Sequence, residues 1–156
     1  MRERVFGRAI ARAVDRRAQR VLGRSRSALR RGRSDELHAL RIAFKRLRYT
    51  LEFLAPLGTE RVRPALEALA LAQERLGTIA DADAFARTYD DLLEDLSGED
   101  ERRPGLQMLR ERTARDRAAA LAELRALWDG GSGAPYPATL AASISAALGS
   151  ISPNDA

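Results

Sequence analysis

The stretch that decides the fold is SDELHALRIAFKRLRYTLEFLA, residues 34–55. Its large apolar side chains recur every three or four residues and therefore share one arc of a helix: Leu37, Leu40, Phe44, Leu47, Leu51 and Leu54. Ser34 is expected to cap the N-terminus, Asp35 and Glu36 to occupy the first turn, and Pro56 and Gly58 to end the helix. The stretch predicts an amphipathic helix with one face in a core.

The rest of the chain shows the same periodicity and no strand pattern. Four further amphipathic helices are predicted, with turn residues between them. They run from about Arg4 to Arg31 before Gly32, from Val62 to Leu76 with a stop at Gly77, from near Asp81 to Leu96, and from Pro104 to Trp128 after a loop at Ser97–Gly105. Short connections favour antiparallel packing, so the predicted fold is all-α, an antiparallel bundle of four to five long helices.

Composition indicates one domain. The 156 residues are 45% hydrophobic, which is enough for a single core, assigned to residues 1–130. Residues 131–156 are rich in Gly, Ser, Ala and Pro, and predict a flexible tail with a weak helix near Leu140–Leu148. There is no cysteine, no apolar run of about 20 residues and no signal-peptide pattern, so we expect a cytoplasmic protein without a disulfide or a metal site.

The charge is unevenly distributed. The net charge is +5, and 26 of the 27 basic residues are arginine, a bias that either function or codon usage would explain. Residues 1–48 carry 16 basic and 4 acidic side chains, for a net charge of +12, whereas the remainder carries 11 basic and 18 acidic side chains, for −7. The basic part predicts an anionic partner.

The second helix concentrates this charge in a basic stripe. The stripe consists of His38, Arg41, Lys45 and Arg48, spaced by three, four and three residues, with Glu52 one turn further on. It lies between the apolar arc and a second apolar strip formed by Ile42, Tyr49 and Phe53. Two interpretations stay open from periodicity alone: a solvated face whose long side chains reach water, or a groove that binds an anion.

Other arginines share apolar arcs on their helices. Arg17 and Arg24 follow the arc of the first helix, and Arg110 and Arg117 follow that of the last. Helical phase therefore adds these four to the candidate anion-binding residues. His38 is expected to donate a hydrogen bond to an anion oxygen, because the helix dipole disfavours its protonation near the N-terminus.

The segment from His38 to Leu57 resembles the CHAD family, the conserved-histidine α-helical domain. The family pattern H-x-x-R-[IV]-x-x-[KR]-[KR]-[LF]-R-Y-x-L-E is met by His38, Arg41, Ile42, Lys45, Arg46, Leu47, Arg48, Tyr49, Leu51 and Glu52. A second similarity lies in LAQERLGTIADADAF, residues 71–85, through Gln73, Leu76, Gly77 and Asp81, and a third in the closing tryptophan, Trp128.

The resemblance implies a helical bundle that binds inorganic polyphosphate in a basic cavity without catalysis, in some bacterial members at polyphosphate granules. Matched residue by residue, the polyphosphate ligands would be His38, Arg41, Lys45 and Arg48, with Arg46 less directly placed because it projects away from the stripe. A full CHAD domain resembles two related helical bundles in tandem. The motif in this chain resembles that of the second, C-terminal bundle. Either a second copy or another CHAD half completes the cavity, or the chain is a fragment.

Two other functions remain as alternatives. A helical protein could bind nucleic acid with its first helix as a basic arm, although it lacks exposed aromatic platforms on the basic stripe and a helix-turn-helix signature. A metal-dependent phosphohydrolase would need paired carboxylates. The candidates for such pairs are Asp81, Asp83, Asp90, Asp91, Glu94 and Asp95.

Overall fold

The fold is all-α. The computed structural model describes the backbone of residues 2–54, 59–130 and 136–149, and the side chains of 9–53, 62–130 and 136–149. These residues form five helices: α1 (Arg2–Arg31), α2 (Ser34–Leu54), α3 (Thr59–Asp95), α4 (Arg103–Asp129) and α5 (Tyr136–Gly149). No strand occurs within the described ranges, so the predicted helical bundle is confirmed.

The core lies along the apolar arc of α2. Phe44, Leu47 and Leu51 are fully buried, and apolar side chains of α1, α3 and α4 pack around them. The centre is aromatic, because the ring of Phe44 lies 6.2 Å from that of Trp128 and 6.3 Å from that of Tyr136. The predicted apolar seam of the second helix therefore packs directly against α1 and α3, and the ring of Phe44 extends it to α4 and α5.

The turn between α1 and α2 depends on Gly32, whose φ of 67° is a left-handed conformation that side chains disfavour. A Cβ at this position would also lie 2.9 Å from Leu121 Cδ2. The predicted cap at Ser34 takes a different form. The backbone N–H of Leu37 donates to the carbonyl of Arg33 at 2.9 Å, and the Ser34 hydroxyl accepts a hydrogen bond from Arg117.

The predicted break at Gly77 is wrong. One helix, α3, runs continuously from Thr59 to Asp95, so Asp81 lies inside it and does not begin a new helix. A glycine costs about 1 kcal/mol in a helix interior. Leu76 and Ile79, on either side, are each 1% exposed, and the burial of two such side chains exceeds that cost.

The helix predicted near Leu140–Leu148 is present, but it is longer and spans Tyr136–Gly149, so these residues are not part of a flexible tail. These residues form α5, which packs against α1, α3 and α4. Its buried side chains are Tyr136, Leu140, Ile144 and Ala147. The Tyr136 hydroxyl donates to the carbonyl of Ala68 at 2.9 Å, and burial raises the pKa of its phenol. Residues 131–135 and 150–156 of the predicted tail lie outside the described residues.

The far end of the α3–α4 hairpin extends beyond the core. Between Ala82 and Ala120 no side chain is buried, although α3 and α4 make the most extensive contact between any two helices. Phe85, Leu92 and Met108 are among the exposed large apolar residues of this hairpin. It therefore relies on contacts between its own two helices, which include the ion pairs of Arg110 with Asp90 and of Arg117 with Asp83.

Candidate functional site

The basic stripe of α2 lies beside the core seam. Leu40, Phe44 and Leu47 point into the core, whereas Arg41 and Arg48 are half-buried at its border and Lys45 is exposed. On the other side of the stripe, Tyr49 and Phe53 are exposed, so the expectation that no exposed aromatic ring accompanies the stripe is wrong. The structure therefore places the cations between a buried and an exposed apolar strip.

Three cations of the stripe line one cavity of about 170 Å³ between α2 and α3. Arg41, Lys45 and Arg48 contribute from α2, together with Tyr49, and Gln73 contributes from α3. We call this cavity the α2–α3 groove. The spacing of three and four residues on one helix brings the charges together, and the antiparallel packing of α3 adds the opposite wall.

Two contacts orient Arg48 within the groove. Its Nε donates to Glu52 Oε1 at 2.6 Å and its Nη1 donates to Gln73 Oε1 at 3.1 Å. The side chains of Arg48 and Glu52 are 43% and 39% exposed, so this ion pair adds little to the free energy of unfolding. Its main effect is to hold the guanidinium toward α3.

Lys45 is held against an aromatic ring. Its Nζ lies 5.6 Å from the centroid of the Tyr49 ring, within the range of a cation–π interaction. Arg41 makes no ion pair or hydrogen bond with a described residue, so its guanidinium is available to a ligand.

His38 lies in a second cavity, separate from the α2–α3 groove. This cavity, of about 460 Å³, lies between the start of α2 and α3, and its polar lining includes His38, Asp83 and Arg87. Asp35 also borders it. The hydrogen bond from Arg33 holds the pKa of the Asp35 carboxyl below its ordinary value. The exposed His38 is thus about one, two and three helical turns away from Arg41, Lys45 and Arg48 respectively.

Arg17 and Arg46 lie on the α1 side of α2. Arg17 donates to the Thr50 hydroxyl, which in turn donates to the carbonyl of Arg46 at 2.8 Å. Both arginines line a shallow cavity of about 400 Å³ that also contains Phe53. Arg24 is exposed on α1. The structure therefore separates these three arginines from the α2–α3 groove.

The structure places Arg110 and Arg117 outside the lining of the α2–α3 groove, each bonded to a carboxylate of α3. Arg110 forms an ion pair with Asp90, and Arg117 donates to Asp83 Oδ1 at 2.6 Å and to the carbonyl of Gly32 at 2.9 Å. These contacts fasten α4 to α3 and to the α1–α2 turn. The periodicity of the sequence predicts that both arginines lie near an interface between helices. It does not identify Asp90 and Asp83, the carboxylates on the facing helix.

Sequence reasoning did not assign a site role to Gln73 or Arg87. Gln73 lies within the second motif that resembles the family, and this position was the one indication in the sequence of a role at the site. Arg87 lies on α3 among acidic residues, and nothing in the local pattern marked it. Both come to α2 only through the antiparallel packing of α3.

Comparison with protein-family models gives a match to the CHAD domain over residues 2–88. The match covers α1, α2 and most of α3, including both walls of the α2–α3 groove. Because it spans more than half of the chain, the protein belongs to the CHAD family. Searches of curated proteins and of solved structures gave no match.

Two further features concern the described residues only. None of their helices combines the length and apolar character needed to cross a membrane. Within the same ranges, no group of three or more His, Asp or Glu side chains is arranged to hold a metal ion.

Proposed function

We propose that this protein binds inorganic polyphosphate, without catalysis, in the α2–α3 groove. The observation that carries the proposal is the convergence of Arg41, Lys45 and Arg48 on one cavity. Membership of the CHAD family supports it, because the resemblance of the motif at His38–Leu57 implies polyphosphate binding.

The chemistry of the groove suits a phosphate polymer. A guanidinium presents two parallel N–H groups to phosphate oxygens, and Arg41 and Arg48 lie on the same wall about two turns apart. Glu52 is the acidic side chain bonded to the stripe, and it neutralises one of three cations. The remaining positive charge favours a ligand with several negative charges close together.

His38 and Arg87 would extend the binding surface. Both line the neighbouring cavity at the start of α2, and α2 places His38 about 15 Å along its axis from Arg48. A polymer is long enough to contact both cavities, whereas a single phosphate is not. A polymer that follows the two cavities would pass further from Arg46, Arg17 and Arg24. To bind it, Arg110 and Arg117 would have to give up their present carboxylate or carbonyl partners.

A filter-binding assay with long-chain polyphosphate tests the proposal. Replacing Arg41 and Arg48 together by alanine should weaken binding and flatten its dependence on salt, because fewer counterions are released. The matched control replaces Arg112 and Arg115 by alanine, which removes the same charge from exposed positions on α4. Equal affinity and equal salt slope in the two double variants would refute the proposal.

A second copy of the chain, or another CHAD half, is part of the proposal. The α2–α3 groove opens to the surface, and a facing copy would surround the polymer with a second set of cations. Light scattering with and without polyphosphate measures this directly. We expect the mass to double with the polymer; a single chain on each short polymer would contradict the paired arrangement.

Two assays address the rival functions. If DNA or RNA displaces polyphosphate at equal phosphate concentration, nucleic acid is the preferred ligand. For the phosphohydrolase, two of its candidate carboxylates are already engaged, Asp83 by Arg117 and Asp90 by Arg110. Release of phosphate with added magnesium, lost in Lys45→Ala, would favour the enzyme.

Association with polyphosphate granules is a further proposal, tested by fluorescence microscopy.

A further inference from the structure

The outer face of α1 carries a row of arginines four residues apart. We call Arg12, Arg16, Arg20 and Arg24 the α1 row; all four are exposed. The inner face of the same helix is buried through Val14, Ala18, Val21 and Ser25. The row is thus on the solvent side of a helix whose other side is fixed in the core.

The α1 row is not neutralised by its surroundings. None of its four guanidiniums makes an ion pair or hydrogen bond with a described residue, in contrast to Arg31, which pairs with Glu36 at 2.9 Å. Within residues 9–31 the single acidic side chain is Asp15. Like charges one turn apart destabilise a helix, and the row contains three such pairs in succession. A polyanion lying along the row would remove that repulsion.

We propose that the α1 row is a second polyanion surface, which binds the phosphate backbone of duplex nucleic acid without reading its sequence. Four residues of helix rise by about 6 Å and turn by about 40° beyond a full turn, so the row rises by about 18 Å and turns by about 120° around the exposed side of α1. A duplex carries one charge per about 1.7 Å of its axis and is stiff over that distance. The exposed row leaves room for a broad, stiff duplex, whereas the α2–α3 groove, a cavity of about 170 Å³, suits a thin polymer.

The neighbours of the row favour nucleic acid over a lipid surface. Gln19, Gly23 and Ser27 lie between the arginines on the outer face. No large apolar side chain stands there to enter the headgroup region, as a helix that lies on a membrane requires. Long arginine side chains that contact only phosphate position a protein on a duplex but carry no base preference.

The test measures binding of the full chain to a short DNA duplex as a function of salt. Each phosphate contact contributes about −0.9 to the slope of log affinity against log salt, so Arg16→Gln with Arg20→Gln should reduce the slope by about 1.8. The control, Arg112→Gln with Arg115→Gln, lowers the net charge equally and should leave the slope unchanged. Arg16→Lys with Arg20→Lys should keep the wild-type slope, because lysine retains the charge.

The proposal is separable from polyphosphate binding. The Arg16/Arg20 double variant should retain polyphosphate affinity, whereas the Arg41/Arg48 double variant should retain the DNA slope. Equal slopes in the row variant and its control would overturn the proposal, as would a failure of the wild-type chain to bind DNA. Retention on vesicles of anionic phospholipid, without DNA binding, would assign the row to a membrane and also overturn it. Circular dichroism verifies that each variant is folded.

Discussion

Arg117 of α4 and Asp83 of α3 are joined by a hydrogen bond of 2.6 Å between Nε and Oδ1, with 24% and 14% of their side chains exposed. The Nη2 of the same guanidinium donates to the carbonyl of Gly32 at 2.9 Å and to the hydroxyl of Ser34 at 3.2 Å. One side chain therefore connects α3, α4 and the α1–α2 turn at the level where the core ends.

Arg117→Ala should lower the free energy of unfolding by about 2–3 kcal/mol, because it leaves the Asp83 carboxylate without its partner in a largely buried position. The melting temperature should fall by about 5–10 °C. Urea denaturation measures the change. Arg115→Ala, an exposed position on the same helix, is the control and should change the stability by less than about 0.5 kcal/mol. Equal stabilities of the two variants would contradict a structural role for Arg117.

A chain that ends at residue 130 should be strongly destabilised. It lacks Tyr136, Leu140 and Ile144, whose burial contributes about 5 kcal/mol or more. Loss of Tyr136 also uncovers Trp128, since the two rings lie 5.0 Å apart, and the tryptophan emission should shift to longer wavelength. Denaturation monitored by Trp128 fluorescence tests both effects. A chain that ends at residue 149 keeps α5 and is the control; identical curves for the two would indicate that α5 does not pack on the core.

Asp100 should titrate at unusually low pH. Hydrogen bonds from the Arg102 side chain and backbone lower the pKa of its carboxyl to about 2. Because the folded pKa is below the ordinary value, the stabilisation from this carboxyl is complete above about pH 5 and is lost progressively as the pH falls through about 2. NMR titration of the Asp100 carboxyl carbon measures this. Arg102→Gln should move the pKa up toward its ordinary value; an unchanged pKa would assign the shift to another group.

Glu52→Gln should strengthen polyphosphate binding. The carboxylate of Glu52 lies beside the groove, and a negative charge about 6 Å from a phosphate costs about 0.7 kcal/mol in water, equivalent to about threefold in affinity. The neutral amide still accepts a hydrogen bond from Arg48. Glu67→Gln is the control, because Glu67 is an exposed residue of α3 that does not line the groove. Weaker binding by Glu52→Gln would indicate that the charge of Glu52 is required to position Arg48.

Predictions from the sequence succeeded where one helix determines the outcome. The start of α2 at Ser34 follows from the turn residues before it, and the buried seam from Leu37 to Leu51 and the stripe of three cations follow from the spacing of side chains on a single helix. Pro56 and Gly58, which were expected to end the helix, lie outside the described residues. The predictions failed where contacts with a neighbouring helix determine the local structure. At Gly77, burial of Leu76 and Ile79 by other helices outweighs the local preference to break. The composition of Tyr136–Gly149 suggested a tail because two of the partners of Tyr136, Phe44 and Ala68, are distant in sequence.

The sequence by itself determined the all-α class, the CHAD motif and the convergence of Arg41, Lys45 and Arg48, because periodicity fixes which side chains share a helix face. Only the tertiary structure decided which basic side chains remain available to bind an anionic ligand. It paired Arg110 and Arg117 with carboxylates of α3, brought Gln73 to Arg48, and left the α1 row without a partner among the described residues. The physical reason is that an ion pair forms only where a neighbouring helix brings the opposite charge within contact distance. The position of a residue around its own helix gives the direction of its side chain, but it does not identify the residue that this side chain contacts.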